Sequence, residues 1–280
     1  MYVGILTGPF SREPLEVVAA FAGEYSFGGL EIVAGPGSQH IDTNGFTAER
    51  AHAINDLMMR RNLQISSVAA YTNPTDSNPE QRQKNLQTIH NAIDAAVLLG
   101  VDVVCTLAGM PVAGKDRFKT IEEDCAQVFP PLLEYAQSKG VKIALENWYA
   151  TNIQHLGHWE KLFQAVPHAN FGLNFDPSHL VHQDIDYLEA VDKFANRIFH
   201  THGKDTEIKA HVKRIVGNQG HGWWRYVIPG LGVIHWGEYI AALRRNGYNG
   251  VISIEHEDSA VDREEGFLIG KKYLEQFIAY

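Results

Sequence analysis

Eight short apolar runs rich in β-branched residues recur along the chain, at 2–7, 29–35, 63–71, 101–108, 141–147, 171–176, 197–202 and 250–256. Between them lie stretches such as Ala51 to Arg61, Asn85 to Leu99 and Thr120 to Ser138, whose apolar residues fall three and four apart and so share one helical face. Strand then helix, eight times over, implies parallel strands joined by crossover helices, because no tight turn reaches a parallel neighbour. Such a sheet either closes into a barrel or stays open with helices on both faces. The open form usually carries a glycine-rich phosphate turn after its first strand, and Thr7-Gly8-Pro9-Phe10-Ser11 is not one. A single-domain (β/α)8 TIM barrel over residues 1–280 is therefore expected; a barrel takes about 250 residues, which leaves no surplus.

Local punctuation agrees with this reading. Asn78-Pro79 places an N-cap before a proline at the first helical position, Thr120 with Glu123 reads as a capping box, and Asp262 with Glu265 resembles one. Gly100, Gly140 and Gly247 stand at helix ends just before the next strand.

A net charge of −9 and a pI near 5.8 give no general attraction for nucleic acid or anionic membranes. No run approaches the roughly 18 apolar residues of a membrane span, and Tyr2-Val3-Gly4-Ile5-Leu6-Thr7 does not read as a secretion signal. Two isolated cysteines, Cys105 and Cys125, suit a reducing compartment better than a disulfide framework. A cytoplasmic protein is the expectation.

One interval is out of proportion. Between the seventh and eighth strands the chain carries an extra stretch, Thr206 to Val233, containing His221-Gly222-Trp223-Trp224-Arg225-Tyr226 and Pro229-Gly230-Leu231-Gly232. It leaves the end of the barrel where active sites sit, and its aromatic residues argue against disorder. We read it as a lid or substrate-binding loop.

The last four strands end in chemically related groups: Lys142-Ile143-Ala144-Leu145-Glu146-Asn147, Phe171-Gly172-Leu173-Asn174-Phe175-Asp176, Ile198-Phe199-His200-Thr201-His202 and Val251-Ile252-Ser253-Ile254-Glu255-His256. Strand alternation turns Leu145, Phe175, Phe199, Thr201 and Ile254 outward and aims Glu146, Asp176, His202 and Glu255 at one point. Three carboxylates meeting with no lysine or arginine between them would repel and bear a large desolvation cost, so one divalent cation is expected among them. Oxygen-rich ligation with one imidazole suits manganese, magnesium, cobalt or zinc; manganese is the first choice. His200 reads as a hydrogen-bonded core histidine one layer deeper, and His256 faces outward. Lys204 either holds an oxyanion or pairs with Asp205. Trp148, Trp223 and Trp224 either stack on a ligand or simply pack.

The pieces Ala-Leu-Glu146-Asn, Asp176-Pro-Ser-His179, His202-Gly-Lys-Asp205, Pro229-Gly-Leu-Gly-Val-Ile and Ile-Glu255-His resemble the sugar isomerase and epimerase barrels related to xylose isomerase and endonuclease IV. The resemblance implies that Glu146, Asp176, His202 and Glu255 bind the metal and that Glu146 and Glu255 also act as base and acid. It implies further that His179 and Arg225 contact substrate. Two positions depart from the ketose epimerases: His235 replaces an acidic residue, and Asn147-Trp148-Tyr149 follows the first glutamate.

The resulting expectation is an isomerase or epimerase of a small sugar or cyclitol, moving a proton next to a carbonyl through a metal-stabilised enediolate. A lyase or dehydratase of a keto sugar, keto-inositol or keto-glycoside, and a non-catalytic or partner-dependent metal-binding subunit, are the alternatives. An abasic-site endonuclease is disfavoured, because Ala69-Ala70-Tyr71-Thr72 and Leu107-Ala108-Gly109-Met110 lack the extra histidines of a metal cluster. The partner expected is a small carbohydrate, with homo-oligomerisation open and neither nucleic acid nor membrane involved.

Overall fold

A computed structural model describes residues 1–278. All eight runs are strands: β1 (Tyr2–Leu6), β2 (Gly29–Gly35), β3 (Gln64–Ala69), β4 (Val103–Leu107), β5 (Lys142–Glu146), β6 (Phe171–Phe175), β7 (Ile198–Gly203) and β8 (Val251–Ile254). They pair in parallel in chain order, and β1 pairs with both β2 and β8, which closes the (β/α)8 barrel. Outward residues such as Ile5, Ile32, Val104, Ile143, Leu173 and Ile252 join the helices in one continuous apolar cluster. The barrel interior is different. A small apolar group, Leu6, Ala69, Val103, Cys105 and Ala144, shares it with buried Glu31, Ser67, Asn174, His200, His202 and Ser253. Among the described residues no helix is long and apolar enough to cross a membrane.

Most helix boundaries follow the local chemistry. Asn78 accepts hydrogen bonds from the Glu80 and Gln81 amides, and Gly100 ends the same helix in the left-handed region at φ 73°. Thr120 is not a cap. Asp116 caps that helix by accepting from the Lys119 amide, which leaves Thr120 inside it donating to the Asp116 carbonyl. A carboxylate four residues upstream competes better for the free amides of the first turn than a hydroxyl does.

Two register shifts interrupt the barrel, between Leu30 and Glu31 against β3 and between Leu173 and Asn174 against β7. Each leaves one residue of the partner strand unpaired, Ser66 and Phe199. The second shift overrides simple alternation: Phe199, expected outside, packs against the interior apolar group and under the Lys142 ammonium.

The stretch after β7 is an ordered hairpin. Asp205–Ile208 pairs antiparallel with Trp224–Val227, and a helix, Ala210–Val216, bridges them. Asp205 ties its base to the barrel. Its buried carboxylate accepts from the Thr206, Gly230 and Ile234 amides and from the Trp236 indole at 2.8–3.1 Å. Gly232 has to be glycine here, since a Cβ would meet Asp205 Oδ1 at 2.2 Å. Asp205→Ala is expected to strand these donors at about 1–3 kcal/mol each, less whatever water recovers, and to lower Tm by roughly 6 °C or more in a calorimetric scan.

Candidate metal centre and active site

Glu146 ends β5, Asp176 and Glu255 follow directly on β6 and β8, and His202 lies near the end of β7. The structure brings one ligand atom from each within 4.8 Å of all the others. This spread suits one ion with bonds of about 2.0–2.2 Å. His202 Nδ1 faces Glu255 Oε2 at 3.2 Å, Asp176 Oδ2 at 3.8 Å and Glu146 Oε1 at 3.9 Å. Asn147 sets Asp176 by gripping both polar groups of its backbone: the Asp176 amide donates to Asn147 Oδ1 and the Asp176 carbonyl accepts from Nδ2. Asp176 Oδ1 accepts from the Ser178 amide, so Oδ2 is left for the centre.

Sequence alternation did not single out Glu31, which is fully buried on β2. Its Oε2 lies 3.0 Å from His202 Nε2, and its Oε1 accepts from the Tyr71 hydroxyl at 2.5 Å. Beside a carboxylate, Nε2 carries the proton, and Nδ1 is left aimed at the three other carboxylates. Burial alone would raise the Glu31 pKa, but the charges of His202 and His200 and the hydrogen bonds bring it down to about 2. The signal was present: a carboxylate interrupts Gly29-Leu30-Glu31-Ile32-Val33, with the inward parity that its apolar neighbours dictate.

The expectation that no cation lies among the carboxylates is wrong. Lys204 is buried and turns inward, with Nζ 2.5 Å from Glu255 Oε2, 3.3 Å from Asp176 Oδ2 and 3.2 Å from Glu257 Oε2. It does not pair with Asp205, which as its neighbour along the chain points the other way. Although burial opposes it, the surrounding carboxylates hold the Lys204 pKa well above that of an ordinary lysine. The same balance keeps Asp176 well below the usual carboxylate range and brings Glu255 to about 2.

Lys204 does not satisfy the centre. Among the described residues, neither buried Asp176 Oδ2 nor buried His202 Nδ1 has a partner aligned for a hydrogen bond, although Lys204 and Glu255 lie close to them. Burial would lower the His202 pKa, yet Glu31 and Glu255 hold it well above the normal imidazole value, so the surroundings demand positive charge at Nδ1. A proton or a divalent ion meets that demand, and the oxygen-rich donor set fits the ion. An ion bound there would displace the Nδ1 proton, so affinity is expected to rise with pH and binding to release protons. Calorimetric titration in buffers of different ionisation enthalpy checks this.

His179 joins the site from the turn after β6. Its Nε2 lies 3.1 Å from Glu146 Oε1, and its Nδ1 lies 2.6 Å from the Tyr226 hydroxyl on the hairpin after β7. Arg225 lines the same cavity, but its guanidinium is engaged by Glu207 at 2.6 Å and by Asp258. Of the tryptophans, Trp148 lines the cavity, Trp224 stacks on His182 at 4.0 Å, and Trp223 packs beneath Lys213 away from it. His200 is the core histidine expected: Nδ1 pairs with Asn174 and Nε2 with the Ser66 and Ser67 hydroxyls, and burial brings its pKa down to about 4. His256 packs against Phe267, outside the cavity lining.

Residues 19–277 match the model of one protein family, described as xylose isomerase-like TIM barrel. The chain belongs to that family. A curated relative, the uncharacterized protein YfiH of Bacillus subtilis, is 26% identical with all of both chains aligned. Inosose dehydratase of Clostridium perfringens is 29% identical over 60% of this chain and 57% of its own length, so that match spans little more than half of the relative. A structure of the IOLI protein with a bound zinc atom superposes with a TM-score of 0.77 at 17% identity, covering 100% of this chain and 98% of that one. At that identity the likeness is one of fold.

Proposed function

We propose that this family member is a divalent-metal-dependent isomerase or epimerase of a small sugar or cyclitol. One observation carries the reading. Of the four converging side chains, Glu146 and Glu255 line the cavity, whereas Asp176 and His202 lie beneath its surface. Two carboxylates thus reach a ligand from β5 and β8. The zinc atom of the IOLI structure supports a metal on this fold.

Glu146, Asp176, His202 and Glu255 would hold the ion, which supplies positive charge where an oxyanion develops. One of the two glutamates takes the proton from the carbon beside the carbonyl. The C–H pair becomes the carbon–carbon double bond of an enediolate, and the carbonyl oxygen takes the charge. For return to the neighbouring carbon the same glutamate delivers the proton it took; for delivery to the opposite face the other glutamate has to enter the cycle protonated and leaves it ionised, while the first leaves it protonated. With Nε2–H donated to Glu146 and Nδ1 accepting from Tyr226, His179 orients that carboxylate. Lys204 offers an ammonium to a substrate oxygen.

The inosose dehydratase relative favours a second reading. After the same proton loss a β-hydroxyl leaves as water, with Lys204 placed to donate to it. Proton NMR in deuterated water, with keto sugars and keto-inositols, separates the two: exchange without elimination supports the first, loss of water the second. If the metal-loaded protein exchanges no proton on any of them, both are wrong and a metal-binding subunit is left. Chelation is expected to abolish turnover, and re-addition of one equivalent of manganese or zinc to restore it.

A further inference from the structure

We propose that two copies of this chain pair about a two-fold axis, each laying the helix Ala210–Val216 into a groove that the other copy presents beside Val233. The proposal is independent of the metal and of the proton-transfer reading. It starts from where apolar surface is left uncovered. Among the described residues ten large apolar side chains are exposed, and four of them, Ile215, Val216, Leu231 and Val233, fall in the stretch after β7. The helix Ala210–Val216 buries none of its seven residues. So short a helix cannot hold itself in water, and Lys213 anchors it, reaching Asp184 at 3.2 Å and lying over the Trp223 ring at 4.4 Å. Ile215 is left 83% exposed.

Next to this anchor lies a groove of about 400 Å³. Ile185, Tyr187 and Leu188 are half-buried along it, and Val233 is exposed beside them. Asp184, Asp186 and Glu238 supply exposed carboxylates around these apolar groups. The helix carries the opposite charge. Between Glu207 and Glu238 the sequence has no acidic residue, and Lys209, Lys213 and Arg214 are cations on or beside the helix. No residue of the helix lines the groove of its own chain. A basic segment ending in Ile215 and Val216 thus stands beside an acidic groove with apolar walls, and within one chain their apolar parts stay apart.

Two complementary patches that adjoin on one surface suit a two-fold pair, because the same contact is then made twice. A second copy fits better than a membrane or a nucleic acid. Either of those would engage the cations alone and leave the groove empty, and a net charge of −9 opposes both. The hairpin that carries the helix also brings Arg225 and Tyr226 to the cavity at the strand ends, so pairing braces one wall of that cavity.

Sedimentation velocity on the full chain at about 100 μM, above the micromolar Kd of the weaker stable interfaces, is the test. A species of twice the 31.3 kDa of one chain is expected. Ile215→Asp and Val233→Asp, both at exposed positions, are expected to weaken pairing by about tenfold or more each, with the far-UV circular dichroism unchanged. Met59→Asp, exposed at the opposite end of the barrel, leaves pairing intact. Arg214→Glu and Glu238→Lys each weaken it alone, and an equal mixture of the two variants restores it, since both crossings then join opposite charges. A monomer at about 100 μM, pairing indifferent to Ile215→Asp and Val233→Asp, or no recovery in the mixture overturns the proposal. Flotation of a monomer with phosphatidylserine–phosphatidylcholine vesicles overturns it too and assigns the helix to a membrane surface.

Discussion

Glu146→Gln, fully loaded with its ion, is expected to lose turnover by roughly 10²–10⁴-fold, the contribution typical of a positioned acid or base. Glutamine keeps the shape of glutamate and one oxygen able to ligate, but it cannot take a proton at neutral pH. Glu146 is the better of the two glutamates to change. Glu255 is the closest partner of the buried Lys204 ammonium, and removing its charge would leave a cation short of compensation. Around Glu146 the main contact is His179 Nε2 at 3.1 Å, which can donate to an amide oxygen as well as to a carboxylate. The metal content of the variant has to be measured beside its rate, because loss of the ion would mimic loss of the base. Near-normal turnover in metal-loaded Glu146→Gln would show that another group moves the proton.

Glu31→Gln is expected to weaken metal binding by about 10–100-fold without touching a single proposed ligand, the effect usual for an orienting partner of a ligating histidine. The carboxylate fixes the His202 tautomer by accepting from Nε2 at 3.0 Å. An amide in its place can equally present its NH2 group, which favours a proton on Nδ1, where the ion belongs. Asn174 and Tyr71 also lie close to Nε2, at 2.9 and 3.2 Å, so the ring stays in place while its tautomer loosens. Titration of the metal-free protein with manganese reads the effect without any substrate. Unchanged affinity, with the thermal transition also unchanged, would mean that Glu31 serves the barrel interior alone.

What the sequence disclosed and what it hid follow from how each residue is placed. Glu146, Asp176 and Glu255 were legible because each ends a strand whose apolar neighbours must face the helices, so parity decides their direction. Lys204 and Asp205 follow β7 where alternation no longer guides, and only the fold shows that the ammonium turns inward while the carboxylate anchors the Pro229–Gly232 turn. Phe199 was misplaced because a register shift beside Asn174 gives β7 one extra residue. Arg225, expected to contact substrate, lines the cavity, and its engagement by Glu207 and Asp258 depends on the hairpin pairing and on the turn after β8, which spacing does not encode. Glu31 has the same inward parity but sits in mid-strand, where a carboxylate does not mark the open end of the barrel.

The proposed chemistry requires one ion held by Glu146, Asp176, His202 and Glu255, in competition with Lys204 for the same oxygens. Crystals soaked in manganese and measured by anomalous diffraction address this directly. One strong peak is expected within bonding distance of Asp176 Oδ2, His202 Nδ1 and both glutamates, with the Lys204 ammonium drawn off Asp176 and Glu255 toward Glu257. No peak there, with Lys204 still bridging Asp176 and Glu255, would contradict it.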